Sequence, residues 1–166
     1  MKFHSPMIIV ADIDKSKEFY TNLLNEEIQQ DLESYVVFSG GFSMMTREQW
    51  SNLTGDMSSP KQTYHSFELY FEEDKLDDFV KELETYPNVK NFTALEEAPW
   101  GQRTLRFFDP DQYAVEVSES MEAVVRRLLS SGMTAQEASQ KSMMPADFVE
   151  KCRVDIEQST AKDSSL

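Results

Sequence analysis

One cysteine, two histidines and five glycines are all that 166 residues offer of three types that often carry redox chemistry, metal binding or sharp turns. The single Cys152 excludes an internal disulfide framework and fits a reducing cytosol. No apolar run approaches the roughly 20 residues that span a bilayer, and the N-terminus lacks a signal-peptide pattern. A cytoplasmic protein without a membrane partner is therefore expected. Basic residues are also scarce: 16 Lys and Arg stand against 30 Asp and Glu, a formal charge of −14. Residues 1–120 hold 10 basic and 23 acidic side chains, a net of −13, whereas residues 121–166 hold 6 and 7, a net of −1. An acidic body repels phosphate backbones, which excludes nucleic acid as a partner. Cationic ligands and metal ions are favoured, and solubility alone also accounts for such a charge.

The chain is long enough for one domain, or one domain with an appendage. Its most structured stretch is 98–119, APWGQRTLRFFDPDQYAVEVSE, which reads as two strands joined by the turn Asp109-Pro110-Asp111-Gln112. Glu116 stands among strand valines, either facing solvent or serving as a ligand. Earlier in the chain, 3–10 is a strand candidate with His4 near its start and Pro6 inside. Asp12 or Asp14 can cap a helix to about residue 25, bearing Phe19, Leu23 and Leu24. Short strands follow at 28–30, 35–38 and 42–45, with Gly40-Gly41 as a hairpin turn. Residues 48–62 are too polar to form an element.

The pattern then restarts. Residues 63–71, TYHSFELYF, alternate so that His65, Phe67, Leu69 and Phe71 share one face. An amphipathic helix at 74–83, a short strand near 89–93 and the 98–119 hairpin complete a second β-α-β-β-β unit. The expected class is α+β, with modules at about 1–47 and 63–119. From Ser120 the character turns helical. Met121, Val124, Val125, Leu128 and Leu129 form a stripe ending before Gly132. Thr134 and Glu137 form a capping box, and Pro145 opens a third helix carrying Phe148, Val149, Cys152 and Ile156. The last of these helices lacks the basic face that DNA demands. The extension at 121–166 is expected to be a packing or dimer arm, with disorder from about Thr160.

His4 and His65 begin the first strands of the two units, and the chain has no other histidine. With Glu116 they make a two-histidine, one-carboxylate set of the kind that leaves coordination positions open for substrate.

The repeat, His4 in FHSPMIIVADIDKSKEFY, His65 in TYHSFELYF and the sequence FFDPDQYAVEV resemble the vicinal oxygen chelate superfamily. That group includes glyoxalase I, bleomycin-resistance proteins, extradiol dioxygenases and fosfomycin-resistance transferases. The resemblance covers roughly residues 1–120. It implies paired βαβββ modules in an eight-stranded cupped sheet, homodimers, and one divalent transition metal (Fe, Mn, Ni, Co or Zn) on His4, His65 and Glu116. The fourth ligand of glyoxalase I falls near Met44, which is neither a hard ligand nor a base. The second-shell histidine of extradiol dioxygenases has no counterpart, and a substrate-holding lysine of fosfomycin transferases aligns near Glu96. By the same resemblance Trp100, Gln102, Thr104 and Arg106 point into the cup as substrate contacts. Arg106 suits a carboxylate or enolate oxygen, or else is a surface cation pairing with an acid. Gln112 stands where the family usually has glycine, which bears on stability. Two functions follow: a metal-dependent lyase, isomerase, transferase or oxygenase acting on a small molecule with neighbouring oxygens, or a non-catalytic dimeric binding protein of the antibiotic-sequestering type.

Overall fold

Alternation of apolar side chains becomes two sheets, each built on the same plan. In the computed structural model, which describes residues 1–55, 67–90 and 93–163, the first four strands are β1 (Met7–Val10), β2 (Ile28–Asp31), β3 (Tyr35–Phe38) and β4 (Ser43–Thr46). They pair in the order β1-β4-β3-β2, with β1 parallel to β4. Four later strands, β5 (Glu68–Glu72), β6 (Glu96–Glu97), β7 (Arg103–Phe108) and β8 (Ala114–Ser118), pair in the order β5-β8-β7-β6. In both sheets the first strand lies beside the fourth, then the third, then the second. This is the α+β repeat of βαβββ modules expected from the sequence.

One compact unit comprises Met1–Phe67 with Phe108–Ala114. Here Asp12 caps α1 (Ile13–Glu18), accepting from the Lys15 amide. The helix runs on into a π-helical turn over Phe19–Leu23. That wider turn lets Phe19, Tyr20 and Leu23 all be buried. The Tyr20 ring packs edge-on against Phe19 and Phe42, each 5.1 Å away, and Phe38 stacks on Phe42 at 4.6 Å. Strand β1 is shorter than expected, since Pro6 has no amide to donate and only its carbonyl is used, by Ser43. His4 thus precedes the strand and is exposed. Met44 pairs with Ile8 and is fully buried. Its neighbours Ser43 and Met45 point to the opposite face, so no carboxylate occupies either side of β4 here.

The turn 109–112 belongs to this unit and is tied to it from below. Asp109 accepts from Tyr20 OH at 2.7 Å and from the amides of Asp111 and Tyr113 at 2.9 and 2.8 Å. Asp111 accepts from the Ala11 amide at 2.8 Å, and Tyr113 OH donates to the Ile9 carbonyl. Gln112 adopts φ 70°, the left-handed conformation for which a Cβ is a steric burden. Gln112→Gly should therefore raise unfolding stability by about 0.5–1 kcal/mol. Urea denaturation would show this as a higher midpoint, and an unchanged or lower midpoint would contradict it.

Two differences from the sequence reading stand out. Residues Arg47–Thr54 form α2, where a connection was expected. The helix is set by its ends: Thr46 accepts from the Gln49 amide, and Gly55 stops it at φ 72°. It buries no residue fully, which is why hydrophobic periodicity does not reveal it. The other difference is β6, expected near 89–93. Val89 instead closes a turn on Tyr86, and the strand forms where Glu96 and Glu97 oppose Thr104 and Arg103. Cross-strand polar pairing decides its place.

The second unit, Glu68–Phe107 with Val115–Leu166, buries Leu69, Leu105, Phe107, Val115 and Val117 together with Leu76, Phe79 and Leu83 of α3 (Leu76–Leu83). The tail adds α4 (Met121–Ser130), α5 (Ala135–Ser142) and α6 (Ala146–Asp163). Gly132 at φ 96° and the Thr134–Glu137 capping box bound α4 and α5 as the sequence suggests. The α4 stripe is buried within the chain: Val124, Val125 and Leu128 pack with Ala138, Val149 and Cys152. The stripe is thereby covered without a second subunit. The α6 backbone continues past Thr160, where the sequence reading places the onset of disorder. No helix of the described residues is long and apolar enough to cross a membrane.

Candidate functional site

In β5, β7 and β8 the buried apolar Leu69, Leu105, Phe107, Val115 and Val117 alternate with residues that take the other face. On β7, Leu105 and Phe107 are buried, and Phe107 lies 6.1 Å from Phe79 of α3. Thr104 and Arg106 take the opposite side, with Glu116 and Ser118 of β8 and Glu68 and Tyr70 of β5. The four residues expected to contact substrate are thus distributed along one strand and its entry loop. Hydrogen bonds join each of them to neighbours on this face.

Arg106 is central. Its Nε donates to Glu68 Oε2 at 3.1 Å and its Nη2 to Glu116 Oε2. Its side chain is 28% exposed and that of Glu116 11%. Glu116 Oε1 accepts from Ser118 Oγ at 2.8 Å, and Thr104 Oγ1 lies 2.7 Å from the same hydroxyl. The Arg106 backbone is equally constrained: its amide donates to Thr93 Oγ1, and its carbonyl accepts from the Thr93 amide, both at 3.1 Å. Arg106 Nη1 has no partner among the described residues. A buried carboxylate beside a permanent guanidinium is a satisfied pair. One edge of that cation is left to offer two donors.

A second run of bonds starts at Trp100, 39% exposed. Its Nε1 donates to Gln102 Oε1 at 3.0 Å, and Gln102 Nε2 reaches Tyr70 OH at 3.2 Å and the Glu119 carbonyl at 2.7 Å. Tyr70 OH donates to Glu72 Oε1 at 3.0 Å. Partial burial, then the bond to Glu72, push the Tyr70 phenol above its ordinary pKa, so it stays a donor at neutral pH. Trp100 and Tyr70 bring aromatic surface to an otherwise polar face.

Glu68, Tyr70 and Ser118 are the members of this site that sequence reasoning missed. The signal was present, because Glu68 and Tyr70 alternate with Leu69 in TYHSFELYF. The alternation placed Leu69 on one face and left Glu68 and Tyr70 on the other.

The three expected metal ligands fare unequally. Glu116 is buried within the network. His4 is exposed in the segment before β1, and His65 lies outside the described residues. No group of three or more His, Cys, Asp or Glu side chains among the described residues is arranged to hold a metal ion.

Two βαβββ modules, one of them with a polar sheet face, define an α+β class. The glyoxalase-like domain model matches residues 3–122, and the chain belongs to that family, within the vicinal oxygen chelate superfamily. A solved protein of unknown function from Agrobacterium tumefaciens is 36% identical, with 72% of this chain and 94% of that one covered at a TM-score of 0.64. The fold is shared with lactoylglutathione lyase from the same organism, at 17% identity, 72% and 93% coverage and a TM-score of 0.55. It is shared also with the fosfomycin resistance protein FosX from Listeria monocytogenes, solved with Mn(II) and 1S,2S-dihydroxypropylphosphonic acid. That protein is 18% identical, with 76% and 96% coverage and a TM-score of 0.53. No curated protein matches the chain.

Metal-holding relatives raise the question of whether this donor set fits a metal. A ligand carboxylate must turn a lone pair to the ion, and a guanidinium already paired with it competes for its charge. Glu116 has a guanidinium on one oxygen and a hydroxyl on the other. Among the described residues, Glu116 so paired and His4 exposed before β1 do not assemble a divalent-ion site.

Proposed function

We propose that the protein binds a small organic molecule with neighbouring oxygen atoms on the polar face of β5, β8 and β7. There it acts as a lyase or isomerase of the glyoxalase-like kind. The observation that carries this reading is the Arg106 guanidinium held between Glu68 and Glu116 with Nη1 unpaired among the described residues. A fixed cation with directed donors stabilises negative charge that develops on a carbonyl or enolate oxygen, and needs no reorganisation to do so. Gln102 and Thr104 supply polar contacts beside it, and Trp100 supplies an apolar wall. A second copy of the chain is the partner this reading expects, by family resemblance.

The competing enzyme reading has Fe, Mn, Ni, Co or Zn on His4, His65 and Glu116. Burial of Glu116 and the Mn(II) of the FosX relative favour it. A third possibility is a binding protein without chemistry, which the acidic composition favours.

Thermal-shift screening of 2-oxo acids, 2-hydroxy acids, 1,2-diols and hydroxyacyl thioesters should yield binders. Calorimetry should then show Arg106→Lys weakening the best of them about tenfold, because lysine keeps the charge but loses the planar fork. Equal affinity in the two proteins, or no binder in the panel, would remove the proposal. Turnover of a binder separates the enzyme from the sequestering protein.

A further inference from the structure

We infer that Arg106 stands in for the divalent ion of metal-holding relatives, so that this site carries its positive charge on the chain and works without metal. The inference rests on the preceding reading that the Glu116 face is the recognition face. Three observations carry it.

The first is occupancy. Glu116 has both oxygens engaged, Oε2 by Arg106 and Oε1 by Ser118. An incoming divalent ion must compete with that guanidinium for the carboxylate's charge.

The second is fixation. Arg106 sits on β7, which lies between β8 and β6. Its amide and carbonyl are both tied to Thr93, and its Nε is tied to Glu68. A side chain held at its backbone, its Nε and its Nη2 is a built feature of the sheet and not a surface cation that has found an acid by chance. Two carboxylates around one guanidinium also leave the cluster with spare negative charge, so Arg106 has no electrostatic reason to leave when the site is empty.

The third is strand parity. On β5 the even positions Glu68 and Tyr70 share the Glu116 face, since Glu68 meets Arg106 directly and Tyr70 meets Gln102. Leu69, at the odd position between them, is buried. Side chains alternate with period two along a strand. A β5 ligand for a metal on Glu116 belongs at an even position, and on the described strand those positions carry Glu68, already bonded to Arg106, Tyr70 and Glu72.

Without metal, the unpaired Nη1 edge is what meets the ligand's oxygen. Glu116 and Glu68 are then positioning residues, aiming that edge.

Arginine-selective ¹H–¹⁵N spectroscopy of the full chain tests this, with Zn²⁺ alone as the probe. The Arg106 Nε–Hε signal is assigned by its loss in Arg106→Lys. In chelator-treated protein it should be protected from solvent exchange, and one equivalent of Zn²⁺ should leave it unmoved. Glu68→Gln, which weakens the acceptor of that Nε–Hε, should cut the protection about tenfold while the backbone amide spectrum stays native. Glu68→Ala serves as the second variant if Glu68→Gln does not fold. The inference is overturned if one equivalent of Zn²⁺ shifts or broadens the signal and Glu116→Gln or His65→Ala abolishes that response. It is equally overturned if the signal is unprotected in the wild type. Either result leaves the small-molecule reading standing, because that reading is judged by the compound panel and not by Zn²⁺.

Discussion

Glu119→Ala should cost about 3 kcal/mol of unfolding stability, toward the lower end of what breaking a buried ion pair costs. Glu119 is 2% exposed and accepts from both arginines that reach it. Arg103 donates through its amide, Nε and Nη2 at 3.1, 2.9 and 2.7 Å, and Arg127 through Nε and Nη2 at 3.1 and 2.8 Å. Removing the carboxylate leaves two guanidinium groups beside a cavity. The loss is moderated because Arg103 keeps Asp77 at 2.8 Å and Arg127 keeps Glu97 at 3.6 Å. Burial alone raises the Glu119 pKa, but bonds from Arg127, the Arg103 side chain and the Arg103 amide outweigh it and hold the group below its ordinary value. A depressed carboxylate contributes stability above its unfolded pKa and loses it as pH falls through the folded one. The cost of Glu119→Ala should accordingly be full at pH 7 and shrink below about pH 4. Urea unfolding at both pH values checks this. A loss under about 1 kcal/mol at pH 7 would show that the clamp is not a structural tie between β7 and α4.

Asp109 titrates with the opposite sign. Burial is the largest influence and the Asp111 charge adds to it. Bonds from Tyr20 OH and the Tyr113 and Asp111 amides oppose both, and the outcome is a pKa pushed up to about 6. A carboxyl whose folded pKa exceeds its unfolded one contributes stability that is complete below the unfolded value, about 3.9, and is lost as pH rises through about 6. A side-chain amide cannot titrate, so Asp109→Asn should remove this component. From pH 7 to pH 4 the wild type should gain about 2 kcal/mol relative to the variant, most of the interval between about 3.9 and about 6 converted at about 1.36 kcal/mol per pH unit, since at pH 4 the unfolded carboxyl is itself about half protonated. Parallel stability curves for the two proteins would mean that the buried carboxylate does not exchange its proton in that range. The amide oxygen of the variant can still accept the two turn amides, so the fold should persist.

Much of the architecture was legible because it is written in local periodicity. The β-α-β-β-β order, the α4 stripe, the Thr134 capping box and the Gly132 stop all depend on residues within a turn or two of each other. Residue Gln112 stood out only through the family resemblance, which places glycine there, and the left-handed φ is the reason. Helix α2 was not, because a helix set by a cap at Thr46 and a stop at Gly55, with no buried face, leaves no apolar period. Strand β6 was misplaced because Val89 looks more strand-like than Glu96, yet its position depends on a partner strand some eight residues away.

The candidate site divides along the same line. By itself the sequence determined which side chains β7 carries, the alternation of Glu68 and Tyr70 with Leu69, and the acidic excess of the chain. Only the tertiary structure decided that Arg106 spends its charge on Glu116 and Glu68, residues 10 and 38 positions away. It also decided that Tyr20 reaches Asp109 across 89 positions, and that the α4 stripe is covered by α5 and α6. Periodicity tells which face a residue joins, because alternation is a property of the local backbone. Which opposite charge it meets there depends on strand order and register, and these are set by the burial of the whole sheet.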